Sequence, residues 1–280
     1  MLLTPRYDGP AVLRFTGPIG DPAGPVLRQR RRLGETLGRL DEGQWAAPSR
    51  CDGWTVRDVV AHLVGTDQFW VISAASGLGG EPTRFLASFD PVATPPALVD
   101  GMGDPGPAEV LASYLEGVEA LAATLSGLDE QQWSLPAEAP PGHVPLHALA
   151  SHALWDAWIH ERDIVLPLGL TPVEAPDEVR ACLRYAAALG PAFLATRGSE
   201  RTGTLLVEGT DPALRVVVRA GATVTVGDEE APSDAVRLAG PSVELVEALS
   251  LRRPLPQDVP EDDRWLLDGL ATVFDVVAPG

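Results

Sequence analysis

A chain of 280 residues is long enough to bury a substantial core and fits one large domain or two ordinary ones. Its 39 acidic against 21 basic residues leave a formal net charge of −18, which disfavours nucleic acid or an anionic membrane as partner because both would repel it. Two cysteines cannot build a disulfide framework, and no basic-then-apolar leader or membrane-length apolar run is visible, so the sequence reads as a cytoplasmic protein with a small-molecule partner.

Lys and Asn are absent, and both have AT-rich codons; the composition points to a high-GC, actinobacterial genome. From Val26 to Leu40, Leu27, Leu33, Leu37 and Leu40 recur at helical intervals, with the arginine run mostly on the solvent side. A second helix opens at "TVRDVVAHL", where Thr55 as N-cap and Asp58 at the third helical position form a near capping box. The Pro- and Gly-rich stretch 79–107 is a long connection, a length that suits a cover over a site or a short helix of its own. A third helix follows Pro107, and a fourth spans about 145–166 before Pro167 and Gly169.

Four such helices predict a bundle over residues 1–170. A further helix at "PDEVRACLRYAAALG" precedes a change of period near Gly203. There "GTLLVEG", "LRVVVRAG", "ATVTVGD" and "AVRLAG" are short β-branched runs between turn residues, and "PSVELVEALSLRR" and "DRWLLDGLATVFDVV" return to helical spacing. Residues 171–280 therefore predict a smaller α+β domain with a mostly antiparallel sheet.

In the fourth helix, His152, Asp156 and His160 fall four residues apart and share one face, since each step drifts by only about 40°. Two imidazoles and a carboxylate are metal-ligand vocabulary, with zinc the usual taker of mixed nitrogen and oxygen donors. A second helix must close such a site, and His62, flanked by Val59, Val60 and Leu63, is the candidate. Three ligands from two helices would leave a coordination position open, as catalytic zinc requires. The alternative is a hydrogen-bonded core pair of Asp156 and His160 beside Trp155 and Trp158.

The stretch "W…PSRCDGWTVRDVVAHL" from Trp45 to Leu63, followed by "WDAWIHERDI", resembles the mycothiol-dependent maleylpyruvate isomerase family within the DinB-like superfamily. The resemblance implies a DinB-like metal-binding bundle and a sterol-carrier-like C-terminal domain. It also implies one ligand in "DVVAHL", here His62, and a Glu-x-x-x-His pair whose His falls on His160 and whose Glu falls on Asp156. Asp for Glu is a departure, because the shorter side chain must bring its carboxylate to the metal from closer to its own backbone. His152 is a possible fourth ligand. Asp163 matches a frequent family Asp and is either a group that orients a ligand or a helix-end carboxylate. Arg252 lies where the family often has a Gly-Arg pair, with Leu251 in place of Gly, and is either the candidate for holding a substrate carboxylate or a solvated helix-end arginine. Cys51, with no obvious base nearby in sequence, reads as structural, and Cys182 as core.

The implied chemistry is zinc-assisted thiol addition, with mycothiol as cosubstrate and an electrophilic small molecule as partner, ending in isomerisation or S-transfer. The competing expectation is a metal-free binding or regulatory protein on the same fold, which Asp156 keeps open.

Overall fold

The computed structural model describes residues 2–274. A short strand, β1 (Leu13–Phe15), precedes α1 (Ala23–Leu37), and a one-turn helix, α2 (Glu42–Trp45), leads into the long α3 (Val56–Leu78). The start of α3 is fixed by a reciprocal capping box: Asp58 N donates to Thr55 Oγ1, and Thr55 N donates to Asp58 Oδ2 at 2.9 Å. The long connection carries its own structure, a 3₁₀ turn (Phe85–Ser88) and α4 (Thr94–Gly101). It is pinned by buried Glu138, whose carboxylate accepts from Tyr7 Oη, Thr83 Oγ1, Phe85 N and Leu86 N.

Next come α5 (Pro107–Leu125), a one-turn α6 (Glu130–Trp133) and a hairpin, β2 (Pro136–Ala139) and β3 (Gly142–Pro145), that the sequence pattern does not reveal. The hairpin lies directly on α3. A side chain at Gly77 would meet Pro136 O at 2.4 Å, so only glycine permits the approach. The bundle closes with α7 (Leu146–Val165), which runs antiparallel to α3: His62 meets His160 at one end, and Trp70 meets His152 at the other.

The second half begins with α8 (Pro176–Thr196), followed by β4 (Gly203–Thr210), β5 (Leu214–Ala220), β6 (Val224–Gly227), β7 (Val236–Pro241) and α9 (Ser242–Leu249). A 3₁₀ turn (Glu261–Leu266) and α10 (Gly269–Phe274) replace the single helix expected from "DRWLLDGLATVFDVV", whose positions 275–277 lie outside the described residues. The five-stranded sheet has the order β1-β6-β5-β4-β7.

This sheet is mixed, which corrects the mostly antiparallel expectation. β4, β5 and β6 form an antiparallel meander, but β1 pairs parallel with β6 and β7 parallel with β4. The reason is connectivity. Short turns join the meander strands, whereas β7 crosses from the far side of the meander and β1 arrives from the N-terminal part of the chain. β1 thus lies in the sequence of the helical half and in the sheet of the other.

One hydrophobic core runs from the hairpin and α7 through α8 into the sheet, where Leu183, Leu189, Val207 and Val218 are fully buried. A second core joins α1, α3, α5 and the end of α7 through Leu33, Val60, Tyr114 and Ile164. The arginine run of α1 departs from the solvent-facing expectation. Arg30 is fully buried, and Arg32 bridges buried Glu161 and Glu178 on two other helices.

Candidate metal centre

His62 sits in the second turn of α3, placed there by the Thr55 cap. Its imidazole packs edge-to-face on that of His160, with ring centroids 5.0 Å apart, and against Trp54 at 5.4 Å. Asp156 and His160 are one turn apart on α7, and Asp156 Oδ1 lies 3.7 Å from His160 Nε2. One donor atom from each of His62, Asp156 and His160 falls within 4.8 Å of the other two. Asp156 Oδ2 is buried and has no hydrogen-bond partner among the described residues. Two neutral-capable imidazoles and a carboxylate converging at this spacing fit a divalent metal of the zinc type.

His152 is not in this group. Its Nδ1 shares a hydrogen bond with Tyr185 Oη on α8, and its ring is packed by Trp70 and Trp155. Burial lowers its pKa to about 3, so it is a neutral core histidine two turns from His160.

Asp163, fully buried at the end of α7, organises the far side of the site. Its Oδ2 faces His160 Nδ1 at 3.1 Å. It also accepts from Arg252 Nη2 at 2.8 Å, from Arg50 Nε at 3.0 Å and from the Cys51 thiol at 3.3 Å. These partners, above all His160 and Arg252, overcome the effect of burial and hold its carboxyl far below the usual carboxylate range. With Nδ1 occupied in this way, Nε2 of His160 is the nitrogen turned to Asp156 and His62.

Burial would lower the pKa of His160, but its hydrogen bonds to Asp163 and Cys51 and the charge of Asp156 raise it to about 10. Burial, and then the charge of His160, lower that of His62 to about 3. Burial pushes the Asp156 carboxyl up, and the positive charges of His160 and Arg30 restrain it.

Arg252 is placed beside this cluster, with its guanidinium turned to Asp163 and Nη2 3.9 Å from Cys51 Sγ. The preceding Leu251 has φ 61°, the left-handed conformation that glycine favours, at the position where the sequence resemblance led us to look for glycine. Cys51 is not the isolated structural residue its local sequence suggests, since it touches His160, Asp163 and Arg252. The sequence also gave no sign of Arg50 and Glu247. Arg50 Nη1 and Arg162 Nε both donate to Glu247 Oε1, at 2.9 and 3.1 Å, and so tie α9 to the bundle beside the site.

The model of the mycothiol maleylpyruvate isomerase N-terminal domain matches residues 26–165, which include all three candidate ligands and Asp163. No curated protein sequence matches the chain. Among solved structures, a mycothiol-dependent maleylpyruvate isomerase is 17% identical with a TM-score of 0.60, the match covering 84% of this chain and 90% of that one. A histidine-to-alanine mutant of the mycothiol-dependent maleylpyruvate isomerase matches at 17% identity and a TM-score of 0.59, over the same shares of the two chains. That likeness extends a common fold across both halves of the molecule. With half its length matched by the family model, the chain belongs to the mycothiol maleylpyruvate isomerase family, a family of enzymes.

Proposed function

We propose that this protein is a metal-dependent enzyme that activates a low-molecular-weight thiol, mycothiol, for addition to an electrophilic small molecule. His62, Asp156 and His160 are the residues that would hold the metal, with zinc the ion best suited to them. The observation that carries this reading is the pairing of His160 with Asp163, because a carboxylate behind a histidine is how proteins aim and strengthen an imidazole ligand.

When bound, the metal supplies a Lewis acid that lowers the pKa of a thiol and holds it as the nucleophilic thiolate. The chain's own groups do the rest. His62, neutral across the physiological range, presents a lone pair without first losing a proton. Asp163 keeps His160 in one orientation and, remaining ionised, balances the positive charge of the imidazolium when Nε2 is protonated. Trp54 packs against the His62 ring and limits its movement. Arg252 Nη1 makes only a 3.5 Å contact to Ser250 O, and that leaves a donor for a carboxylate of the electrophile. The addition then ends in isomerisation if the thiol is expelled and in S-transfer if it stays.

The test is metal content and thiol turnover of protein purified without a His-tag. One zinc per chain, lost in His160→Ala, and mycothiol-dependent conversion of an unsaturated dicarbonyl acid are the expected results. Zinc-loaded protein that neither binds mycothiol nor consumes it would overturn the enzyme reading in favour of a binding protein.

A further inference from the structure

Three side chains of α7 hold the end of α9. Asp163 takes the Arg252 guanidinium through Nε and Nη2, at 3.0 and 2.8 Å, and Arg162 Nε donates to Glu247 Oε1 at 3.1 Å. The third is Trp155, the neighbour of Asp156, whose Nε1 donates to Ser250 Oγ at 2.8 Å. Both partners are buried, Trp155 at 8% and Ser250 at 3% exposure, and Ser250 Oγ donates onward to Val246 O at 2.6 Å.

Ser250 is the residue at which α9 ends. Beyond it the chain turns back on the helix: Leu251 N donates to Ala248 O at 3.1 Å and Arg252 N to Glu247 O at 2.8 Å, the two reverse bonds of a Schellman cap. That cap needs its middle residue left-handed, and here the residue is Leu251 at φ 61° rather than glycine. Leucine disfavours this conformation, so the turn that projects Arg252 is not held by its own backbone preference. It needs a restraint from outside, and the Trp155 indole supplies one at the cap residue itself. Arg252 Nη1, the nitrogen not bonded to Asp163, faces Ser250 O at 3.5 Å and so depends on the same residue.

We propose that Trp155 and Ser250 are positioning residues: their hydrogen bond fixes the α9 cap on the helix that carries Asp156 and His160, and thereby holds Arg252 Nη1 where a substrate carboxylate meets it. The role in recognition rests on the reading of Arg252 given above; the restraint on the turn does not. One rigid helix carries the anchor and two of the candidate ligands, so the arginine and those ligands keep a fixed spacing.

Ser250→Ala removes the acceptor of this bond, and Trp155→Phe removes the donor. Crystals of each variant should show the Arg252 guanidinium displaced or split between conformers, with α7 in place; wild-type Arg252 in both overturns the proposal. Should Trp155→Phe disturb the core it helps to pack, Ser250→Ala, which deletes one oxygen, decides alone. Ser250→Thr keeps the hydroxyl and should keep the wild-type turn. Kinetics read the role in recognition. The ratio of kcat/KM for an electrophile bearing a carboxylate to that for its methyl ester should fall about 3–10-fold in Ser250→Ala, the worth of one hydrogen bond, and through KM more than kcat. A merely structural loss would lower both substrates alike, and an unchanged ratio with Arg252 displaced refutes the role in recognition. The same ratio in Arg252→Ala separates the two readings. If it too stays at the wild-type value, or if the wild-type protein turns over neither substrate, the carboxylate reading of Arg252 fails by itself, while the crystals of Ser250→Ala still decide the restraint.

Discussion

The Asp163 carboxylate faces His160 Nδ1 at 3.1 Å and so leaves Nε2 as the nitrogen turned into the bundle, toward Asp156 and His62. This contact sets the direction of the candidate ligand and, with Cys51 and Asp156, raises its basicity.

Replacing Asp163 by Asn removes the charge and nearly preserves the shape. Zinc affinity should fall about 10–100-fold, as it does when the carboxylate behind a histidine ligand is lost. The protein should also lose about 2–3 kcal/mol of stability, because Arg50 and Arg252 lose their buried partner while both keep some contact with solvent. Chelator competition and denaturant unfolding measure the two effects separately.

Metal uptake should depend steeply on pH. His160, with its pKa raised to about 10, carries a proton at neutrality that the metal must displace, whereas His62, at about 3, carries none. Zinc binding near pH 7 should therefore release one proton from His160, and apparent affinity should rise about tenfold per pH unit between about 6 and 9. Without metal the sign is opposite. A pKa raised from 6.5 contributes stability that is fully present below about pH 6.5 and is lost as pH rises through about 10. Calorimetric titration in buffers of differing ionisation enthalpy counts the proton, and a flat affinity profile would contradict the assignment.

Leu251 offers a test of backbone conformation. At φ 61° a β-branched residue is strongly disfavoured, while glycine is at ease. Leu251→Val should thus lower the melting temperature more than Leu251→Gly does, although valine keeps most of the apolar side chain and glycine none. The reverse order would mean that packing, not conformation, governs this position.

Glu138→Ala should loosen the connection between α3 and α5 without disturbing the metal site. The substitution leaves Phe85 N and Leu86 N without their acceptor. Amide exchange at these two positions should speed up by about one to two orders of magnitude, the equivalent of roughly 1–3 kcal/mol per lost partner. Zinc stoichiometry should be unchanged.

Much of this architecture is legible in the residues themselves. The reciprocal cap of Thr55 and Asp58, the leucine spacing of α1 and the Pro107 start of α5 are local signals, and the structure places those helices within a few residues of them. So are the β-branched runs of β4 to β6. What the sequence hides is non-local. Arg30 looks like one arginine in a solvated run, and only the position of Asp67 on another helix explains its burial. The mixed character of the sheet depends on the crossover that lays β7 parallel to β4 and on β1, a three-residue strand whose partner lies in the last quarter of the chain. At the site, the shared face of Asp156 and His160 follows from their spacing, and His62 stands out as the histidine of the apolar second helix, a choice that the resemblance also implies. The contacts of Arg50, Cys51 and Arg252 with Asp163 join three segments that no periodicity connects.

The placement of β1 carries a consequence for how the protein is made. Leu13 pairs with Val224, so the first strand leaves the ribosome long before its neighbour has been translated. At about 5–20 residues per second, the intervening stretch takes roughly 10–40 s to synthesise. During that interval β1 lacks its partner strand, and the pairing then has to close across one of the longest sequence separations in the molecule. Completing this sheet edge therefore waits on the synthesis of β6, and so distant a pairing slows folding.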